Sequence, residues 1–217
     1  MKISLREILK ESWKQTKANW KTLVPFFLVV FIVSFALSLR GGDILSLSGL
    51  VSIFLTPVVY YAMTKVSVSV SKNEKVDFNQ LFKGLTQKVY LQFLAVSLIV
   101  SVFLALVTGL NVILMNTDIF LGSIVSLALF VFLFVYFVGV IFFPYYRLID
   151  EGADFWTAIK DSFGLAAGNR VFLVKFAIFT LLLNMLGAMI LGVGLLITVP
   201  LTLISIAHIY SKLKIKN

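Results

Sequence analysis

The sequence predicts an all-α, polytopic membrane protein with six transmembrane helices and three amphipathic interfacial helices. Apolar residues make up 60% of the chain and its mean hydropathy is +1.02. In soluble proteins, apolar residues make up about half of the chain at most. The apolar residues fall into segments long enough to cross a bilayer, and the basic residues lie at the ends of those segments. Residues 1–217 are therefore interpreted as a single membrane domain.

The six spans follow from segment length, because a membrane-crossing helix needs ~20 apolar residues. Residues 23–39 pair with 47–66 through a polar turn at 40–43, and residues 91–110 pair with 120–144 through polar residues at 111–118. The apolar stretch 171–210 would be ~60 Å long as one helix, about twice the hydrocarbon thickness. It must therefore fold back, and the glycines of 184–194 mark the expected turn.

The basic residues predict the orientation. With both termini cytoplasmic, 18 of the 19 Lys and Arg residues face the cytoplasm and only Arg40 faces outward, as the positive-inside rule requires. This predicts a multi-pass protein of the cell inner (cytoplasmic) membrane. Ala36-Leu37-Ser38 offers an alternative, a signal-peptide cleavage site. We favour an uncleaved first span, because some twenty residues precede the apolar core and a signal peptide starts with a short basic region.

Three amphipathic helices are predicted to begin at Ser4, Asp77 and Asp154. In the first, Ser4-Leu5-Arg6-Glu7 has the spacing of a capping box. Apolar residues recur at helical spacing in each, and lysines lie away from that face. Such helices lie in the headgroup plane. The predicted interfacial anchors are the tryptophans Trp13, Trp20 and Trp156. Membrane lipids, anionic ones above all, are the expected partners, with a protein partner or self-association as further expectations.

The helices and spans together predict a threefold pseudo-repeat. Its units cover about residues 4–66, 77–150 and 154–213, and the second span of each unit carries one proline: Pro57, Pro144 and Pro200. A local match supports the repeat, since Glu11-Ser12-Trp13 and Asp161-Ser162-Phe163 align at one offset. Parallel repeats of this kind are arranged around an axis along the membrane normal.

Few residues in the spans can carry chemistry. No acidic residue is expected at membrane depth, which argues against a carrier driven by protons or sodium. The single histidine, His208, lacks the cysteines or neighbouring acids of a metal site and the partners of a catalytic triad. No catalytic residue, metal or cofactor is therefore predicted. The basic residues are scattered at span ends, which also argues against nucleic-acid binding.

Three features keep functional alternatives open. Each proline frees a backbone carbonyl. One interpretation is that the prolines kink the helices and so shape a packed bundle. The other is that the prolines and polar side chains line a pathway. The candidate pathway residues are Pro57, Pro144, Pro200, Gln92, Asn184, Thr198 and Thr202. The acidic turn with Asp150, Glu151 and Asp154 is either a turn with a helix cap or a docking site for a basic partner. The small residues of 164–168 indicate close helix packing or self-association.

Ala158-Ile159-Lys160-Asp161-Ser162-Phe163, followed by Gly168-Asn169 and an apolar run, resembles an element of little-characterised bacterial six-span membrane families. These include the membrane domain fused to some glycerophosphodiesterases. The pattern of Gly194, Pro200, Ala207 and Tyr210 is also similar to theirs. The resemblance implies a six-helix membrane domain without the phosphodiesterase activity, for which this chain has no soluble catalytic domain.

The sequence thus predicts a non-enzymatic membrane protein that acts as an accessory or scaffold protein through protein partners or lipids. The alternative is a permease or channel for a neutral or amphiphilic solute. A polar cavity lined by the three prolines would favour the alternative, and a packed apolar interior would favour the first hypothesis.

Overall fold

The computed structural model describes residues 4–38, 47–117, 119–190 and 192–216. The regular structure in these residues is entirely α-helical, which confirms the predicted class. Ten helices follow in chain order: α1 (Leu5–Ala18), α2 (Trp20–Ser38), α3 (Leu47–Ser71), α4 (Phe78–Leu81), α5 (Gln87–Thr117), α6 (Ile119–Phe142), α7 (Pro144–Glu151), α8 (Phe155–Ala167), α9 (Arg170–Met189) and α10 (Leu195–Lys216). The predicted turn at 40–43 and the predicted loop residue Asp118 lie outside the described residues.

Within the described residues, five helical segments are long and apolar enough to cross a membrane: Val51–Ser71, Gln87–Leu110, Gly122–Glu151, Arg170–Met189 and Leu195–Ile215. A sixth span results if the bent pair Leu5–Ala18 and Trp20–Phe35 is counted as one span. The two members of this pair meet at 90°. The described residues thus contain five or six segments that are apolar enough to cross a membrane, which is consistent with a multi-pass membrane protein.

The first helix is amphipathic, as predicted, and turns sharply into the first long apolar helix. It buries Ile8, Ser12, Gln15 and Thr16, and it ends at Asn19, whose backbone N–H donates to the Gln15 carbonyl. Ser4 is the N-cap residue, but its side chain makes no capping hydrogen bond, so the predicted capping box is wrong. Instead of a capping bond, α1 is stabilised by packing of its apolar face against α10.

The long helices pack in a ring. Along it, α3 contacts α5, α5 contacts α6, α6 contacts α9, and α9 contacts α10. The last helix then contacts α2, and α2 contacts α3, which closes the ring. A further contact joins α3 directly to α10. The largest buried cluster combines residues of α1, α3, α6, α7, α8, α9 and α10. The core is thus densest at the end of the bundle where α7 and α8 lie.

The second predicted amphipathic helix is much shorter than expected. The sequence pattern extends from Asp77 to Val89, but α4 has four residues, a turn follows it, and Val89 belongs to α5. Gly84 lies in this turn, and a Cβ atom there would lie 2.6 Å from the Tyr61 hydroxyl, so the turn passes close to α3.

Two helix boundaries also differ from prediction. Pro144 is the first residue of α7, a position where its missing N–H costs nothing, and it follows the break between α6 and α7 within the apolar segment Gly122–Glu151. The unpredicted α7 follows it and ends at Gly152, which has a left-handed φ of 63°. In addition, α5 continues to Thr117, so Asn111 is helical and not part of a loop.

The predicted fold-back of residues 171–210 is confirmed. The two helices α9 and α10 are separated by a turn in which Gly192 has a φ of 75°. They then approach closely at two glycines: a Cβ on Gly194 would lie 2.7 Å from the Gly187 Cα. Glycine at both positions therefore lets the backbones touch directly after the turn.

Close helix packing occurs at a different glycine from the ones predicted. The space around a Cβ on Gly164 or Gly168 is open among the described residues, so the helix packing seen there does not involve these two glycines. Instead, Gly139 of α6 faces α8, where an added Cβ would lie 2.4 Å from the Ala166 Cβ and 2.5 Å from the Ser162 carbonyl oxygen. The small residues of α8 thus accommodate α6 through Ser162 and Ala166.

Candidate functional site

Ion pairs cluster where α7 and α8 meet the last turns of α3 and α10, a region called the charged end below. Asp150 accepts from Lys72 (Nζ–Oδ1 2.6 Å) and from Lys214 (Nζ–Oδ2 2.8 Å). Its side chain is only 11% exposed, whereas the two lysines are about half exposed. A single carboxylate at the end of α7 therefore joins α3 to α10.

The neighbouring residues extend this cluster. Glu151 lies 3.0 Å from the Lys214 Nζ and accepts from the Tyr210 hydroxyl at 2.9 Å. Arg147 forms ion pairs with both Glu151 and Asp161, so α7 is also tied to α8. Three carboxylates thus face three cations, and the cluster is neutral within the chain.

Asp154 has a separate structural role. Its Oδ1 accepts from the backbone N–H groups of Trp156 (3.0 Å) and Thr157 (3.1 Å), and its Oδ2 accepts from the Thr157 hydroxyl (2.6 Å). These bonds favour the carboxylate and lower the pKa of Asp154, the Thr157 hydroxyl most of all. The predicted cap of α8 is therefore present. The predicted acidic turn combines this cap with two ion-paired carboxylates, and docking of a basic partner there stays a prediction.

A buried hydrogen-bond group, called the Gln15 latch, fastens α1 beside the charged cluster. The Gln15 Oε1 lies 2.8 Å from the His208 Nε2, which must donate because an amide oxygen can only accept. The Gln15 Nε2 donates to the Asn73 Oδ1 at 3.1 Å and to the Ser71 carbonyl at 3.3 Å. Asn73 has a left-handed φ of 58° at the end of α3. One side chain of α1 therefore bonds to both α3 and α10.

Sequence reasoning missed the latch, although one signal for it exists. Gln15 follows Ser12 by three residues, which places it beside the buried face of α1. His208, for which the sequence predicts neither a metal site nor a catalytic triad, is buried. No sequence pattern connects these two residues, because they are 193 positions apart.

A polar pocket of about 410 Å³ lies between the latch and the charged cluster. Its lining includes Ser71, Lys72, Asp150, His208 and Lys214. The Asp150 carboxylate already binds two lysines, and the His208 Nε2 is engaged by Gln15. In the described part of the chain, no group of three His, Cys, Asp or Glu side chains is placed to hold a metal ion. The arrangement supports fastening of helices more directly than acid–base chemistry.

Part of the predicted pathway set is brought together. The Asn184 Nδ2 donates to the Thr202 Oγ1 at 3.2 Å, and the Thr202 hydroxyl donates to the Thr198 carbonyl at 2.8 Å. The Asn184 Oδ1 and the Thr198 Oγ1 are buried without a partner among the described residues. This polar group links α9 to α10, as interhelical bonds between spans do.

The remaining pathway candidates are dispersed. Pro57 and Pro200 are buried inside α3 and α10, whereas Pro144 begins α7. Gln92 is half-buried on α5. None of the grooves described below includes any of the three prolines in its lining.

Two grooves run along the spans, and both are apolar. The first, of about 450 Å³, lies between α2, α3 and α4, and every residue that lines it is apolar. The second, of about 370 Å³, lies where α1, α2 and the start of α10 meet. Its lining includes two of the predicted anchors, Trp13 and Trp20, and Lys17. The third anchor, Trp156, is 65% exposed at the start of α8.

Comparison of the chain with protein-family models, with curated proteins and with solved structures finds no match. The resemblance to bacterial six-span membrane families therefore stays a prediction. What the site can do has to be argued from its own geometry.

Proposed function

We propose that this chain is an integral membrane protein without catalytic machinery, which acts as an accessory or scaffold protein through protein partners or lipids. One observation carries the proposal. The charged side chains Lys72, Arg147, Asp150, Glu151 and Lys214 are paired with one another, whereas the grooves along the spans are apolar. The charged side chains of the charged end thus stabilise the fold by binding one another. The apolar grooves that remain for other molecules suit lipid tails or apolar helices.

The proposed setting is the inner (cytoplasmic) membrane, with both termini and the charged end on the cytoplasmic side. The distribution of Lys and Arg supports this orientation. The contact of α1 with α10 supports the placement of both termini on one side.

We also propose that the bundle is a threefold pseudo-repeat. The packing partners of the three short helices support this idea, because each packs on the second span of the preceding unit. In this cyclic order α4 contacts α3, α8 contacts α6, and α1 contacts α10. The short α4, which is followed by a turn containing Gly84, is then a local departure from the repeat.

Purification of the tagged chain from its own membranes in mild detergent tests the functional proposal. We expect native mass spectrometry and proteomics to find a stoichiometric protein partner or retained phospholipid. A chain that purifies free of both would contradict the proposal. An unrelated six-span protein purified in parallel controls for non-specific carry-over.

A permease or channel for a neutral or amphiphilic solute is the second candidate, and one observation favours it. The unpartnered Asn184 Oδ1 and Thr198 Oγ1 would have to bond to water or a polar solute within the bundle. Solute flux into proteoliposomes tests this alternative. This alternative requires that flux depends on the chain and falls in the Asn184→Leu variant. Thr108→Leu, at an exposed position of α5 outside the candidate pathway, is the control.

A further inference from the structure

The groove at the junction of α1, α2 and α10, called the corner groove below, has a specific shape. The chain bends by 90° between α1 and α2, so the two helices enclose a corner with α10 behind it. Leu23 and Val24 line it from α2, and Val193, Leu196 and Ile197 line it from the turn before α10 and from α10 itself. The apolar wall thus continues from the bend to the opposite end of α10.

Lys17 borders the corner groove and lines it with the aliphatic part of its side chain. It is the one charged residue among the lining residues that the structure describes. Unlike Lys72 and Lys214, which bind Asp150, Lys17 has no hydrogen bond or ion pair within the described ranges. Lys21 is exposed one helical turn further along the chain. A ligand with an apolar body and an anionic end would therefore find complementary surroundings here.

Trp13 and Trp20 stand on either side of Lys17 in the chain and line the same groove. Both are about half exposed, at 50% and 58%. Tryptophans with lysines are typical of the level at which lipid headgroups meet acyl chains. The end of the groove beside Lys17 and the two tryptophans is therefore placed at the level of a lipid phosphate, and the rest of its apolar wall is placed along an acyl chain.

The other apolar groove supplies an internal comparison. It lies on the far side of α2, is of similar size, and has no charged residue in its described lining. Surface apolarity alone would make the two grooves equivalent. Lys17 and the two tryptophans distinguish the corner groove and favour an anionic lipid over an apolar helix of a second copy.

We propose that the corner groove binds one anionic phospholipid, with its phosphate at Lys17 and an acyl chain along Leu23, Val24, Leu196 and Ile197. This inference rests on the proposed function, of which it names one partner and one site. The lipid fills the space under the bend and fastens α1 and α2 to α10.

Native mass spectrometry of the delipidated full chain tests the proposal. Phosphatidylglycerol is the anionic probe, and phosphatidylethanolamine with the same acyl chains is the zwitterionic one. We expect one phosphatidylglycerol to bind preferentially to the wild type. Lys17→Gln should weaken that binding by about fivefold, the amount expected for one lysine near an anionic lipid surface. Lys14→Gln, which removes the same charge from the same helix outside the groove, should leave it unchanged.

A second pair of variants tests the apolar end. Val193→Phe fills the corner groove and Val29→Phe fills the other groove, and the two valines are equally exposed, at 61% and 60%. We expect only Val193→Phe to displace the lipid. Thermal unfolding of each variant in detergent without lipid verifies that it is folded.

Four results would overturn the site. The first two are that Lys17→Gln and Lys14→Gln weaken lipid binding equally, and that only Val29→Phe displaces the lipid. The other two are that the chain shows no preference for the anionic lipid, and that Val193→Phe abolishes a dimer without loss of lipid. If the chain still retained lipid or a protein partner when purified from native membranes, these four results would not contradict the proposed function. A chain that retains neither partner nor lipid would contradict the proposed function itself.

Discussion

At the scale of single residues, Gln15 is the side chain on which the docking of α1 most depends. It is the only described residue of the latch that contacts both α3 and α10, through Asn73, Ser71 and His208. Its removal leaves buried polar groups without partners, and such groups cost more free energy than the lost bonds themselves. We therefore expect the latch to be more sensitive to mutation than the half-exposed lysine ion pairs nearby.

Gln15→Ala should lower the free energy of unfolding by about 1–3 kcal/mol, because the buried His208 Nε2 loses its partner and the bond to the exposed Asn73 is lost as well. Thermal or denaturant unfolding in detergent measures this loss, with Lys14→Ala on the exposed face as the control. A double-mutant cycle with His208→Ala should give a non-additive energy. Strictly additive effects would show that the two side chains do not interact.

Contacts between individual side chains were the hardest feature to predict from the sequence. The helix cap at Asp154 was predicted correctly, because its partners are two and three residues away. The pairing of Gln15 with His208 and that of Lys72 with Asp150 span 193 and 78 positions. Hydropathy and helical spacing report local structure, so they carry no information on which distant polar groups meet.

At the scale of helices, the contact between α6 and α8 shows how a single glycine sets a helix–helix distance. Gly139 faces Ser162 and Ala166, whereas Gly164 on α8 faces open space. Composition alone favoured Gly164 and Gly168 as the packing residues. Their spacing is typical of packed spans, but which face of α8 meets a neighbour is decided by the tertiary fold.

Gly139→Ala should lower the free energy of unfolding by about 1–3 kcal/mol, because the new methyl group overlaps Ala166 and a backbone carbonyl that cannot rotate away. Gly164→Ala is the matched change in open space. It should be neutral or stabilising by up to about 1 kcal/mol, since alanine favours the helix. Unfolding temperatures of both variants in one detergent give the comparison, and an equal effect of the two would contradict the packing described.

The cap of α8 should depend on pH. The folded pKa of Asp154 lies below its ordinary value of 3.8, so the stabilisation by its carboxylate is complete above that value. It is lost as the pH falls through the lowered pKa and the carboxylate is protonated. The difference in unfolding temperature between wild type and Asp154→Ala should therefore be constant near neutral pH and shrink under strong acid. A difference that grows on acidification would contradict this sign.

At the scale of the whole molecule, the ring of long helices was largely predictable. Hydropathy located the apolar segments, and the length limit of a bilayer required the fold-back before α10. The extra helix α7 was not predicted. A first helix in the headgroup plane followed by a span implies a sharp bend, and α1 and α2 meet at 90°. The resulting choice between five and six spans is an experimental question.

Labelling of single cysteines decides that question, and the chain helps because it contains no native cysteine. If α1 and α2 form one bent span with the proposed orientation, Lys10→Cys, Lys75→Cys and Gly152→Cys should react from the cytoplasmic side. Val193→Cys should react from the opposite side. Reaction of Lys10→Cys from the same side as Val193→Cys would contradict this topology.

The contact of α1 with α10 also constrains the order of assembly. During synthesis at ~5–20 residues per second, Gln15 emerges roughly 10–40 s before His208, the residue to which it binds. Through that interval the buried face of α1 has no α10 to cover it, and it must rest on the lipid surface or on another protein. The first helix made is thus among the last to be fixed, so a chain truncated before α10 would leave α1 undocked and exposed to proteolysis.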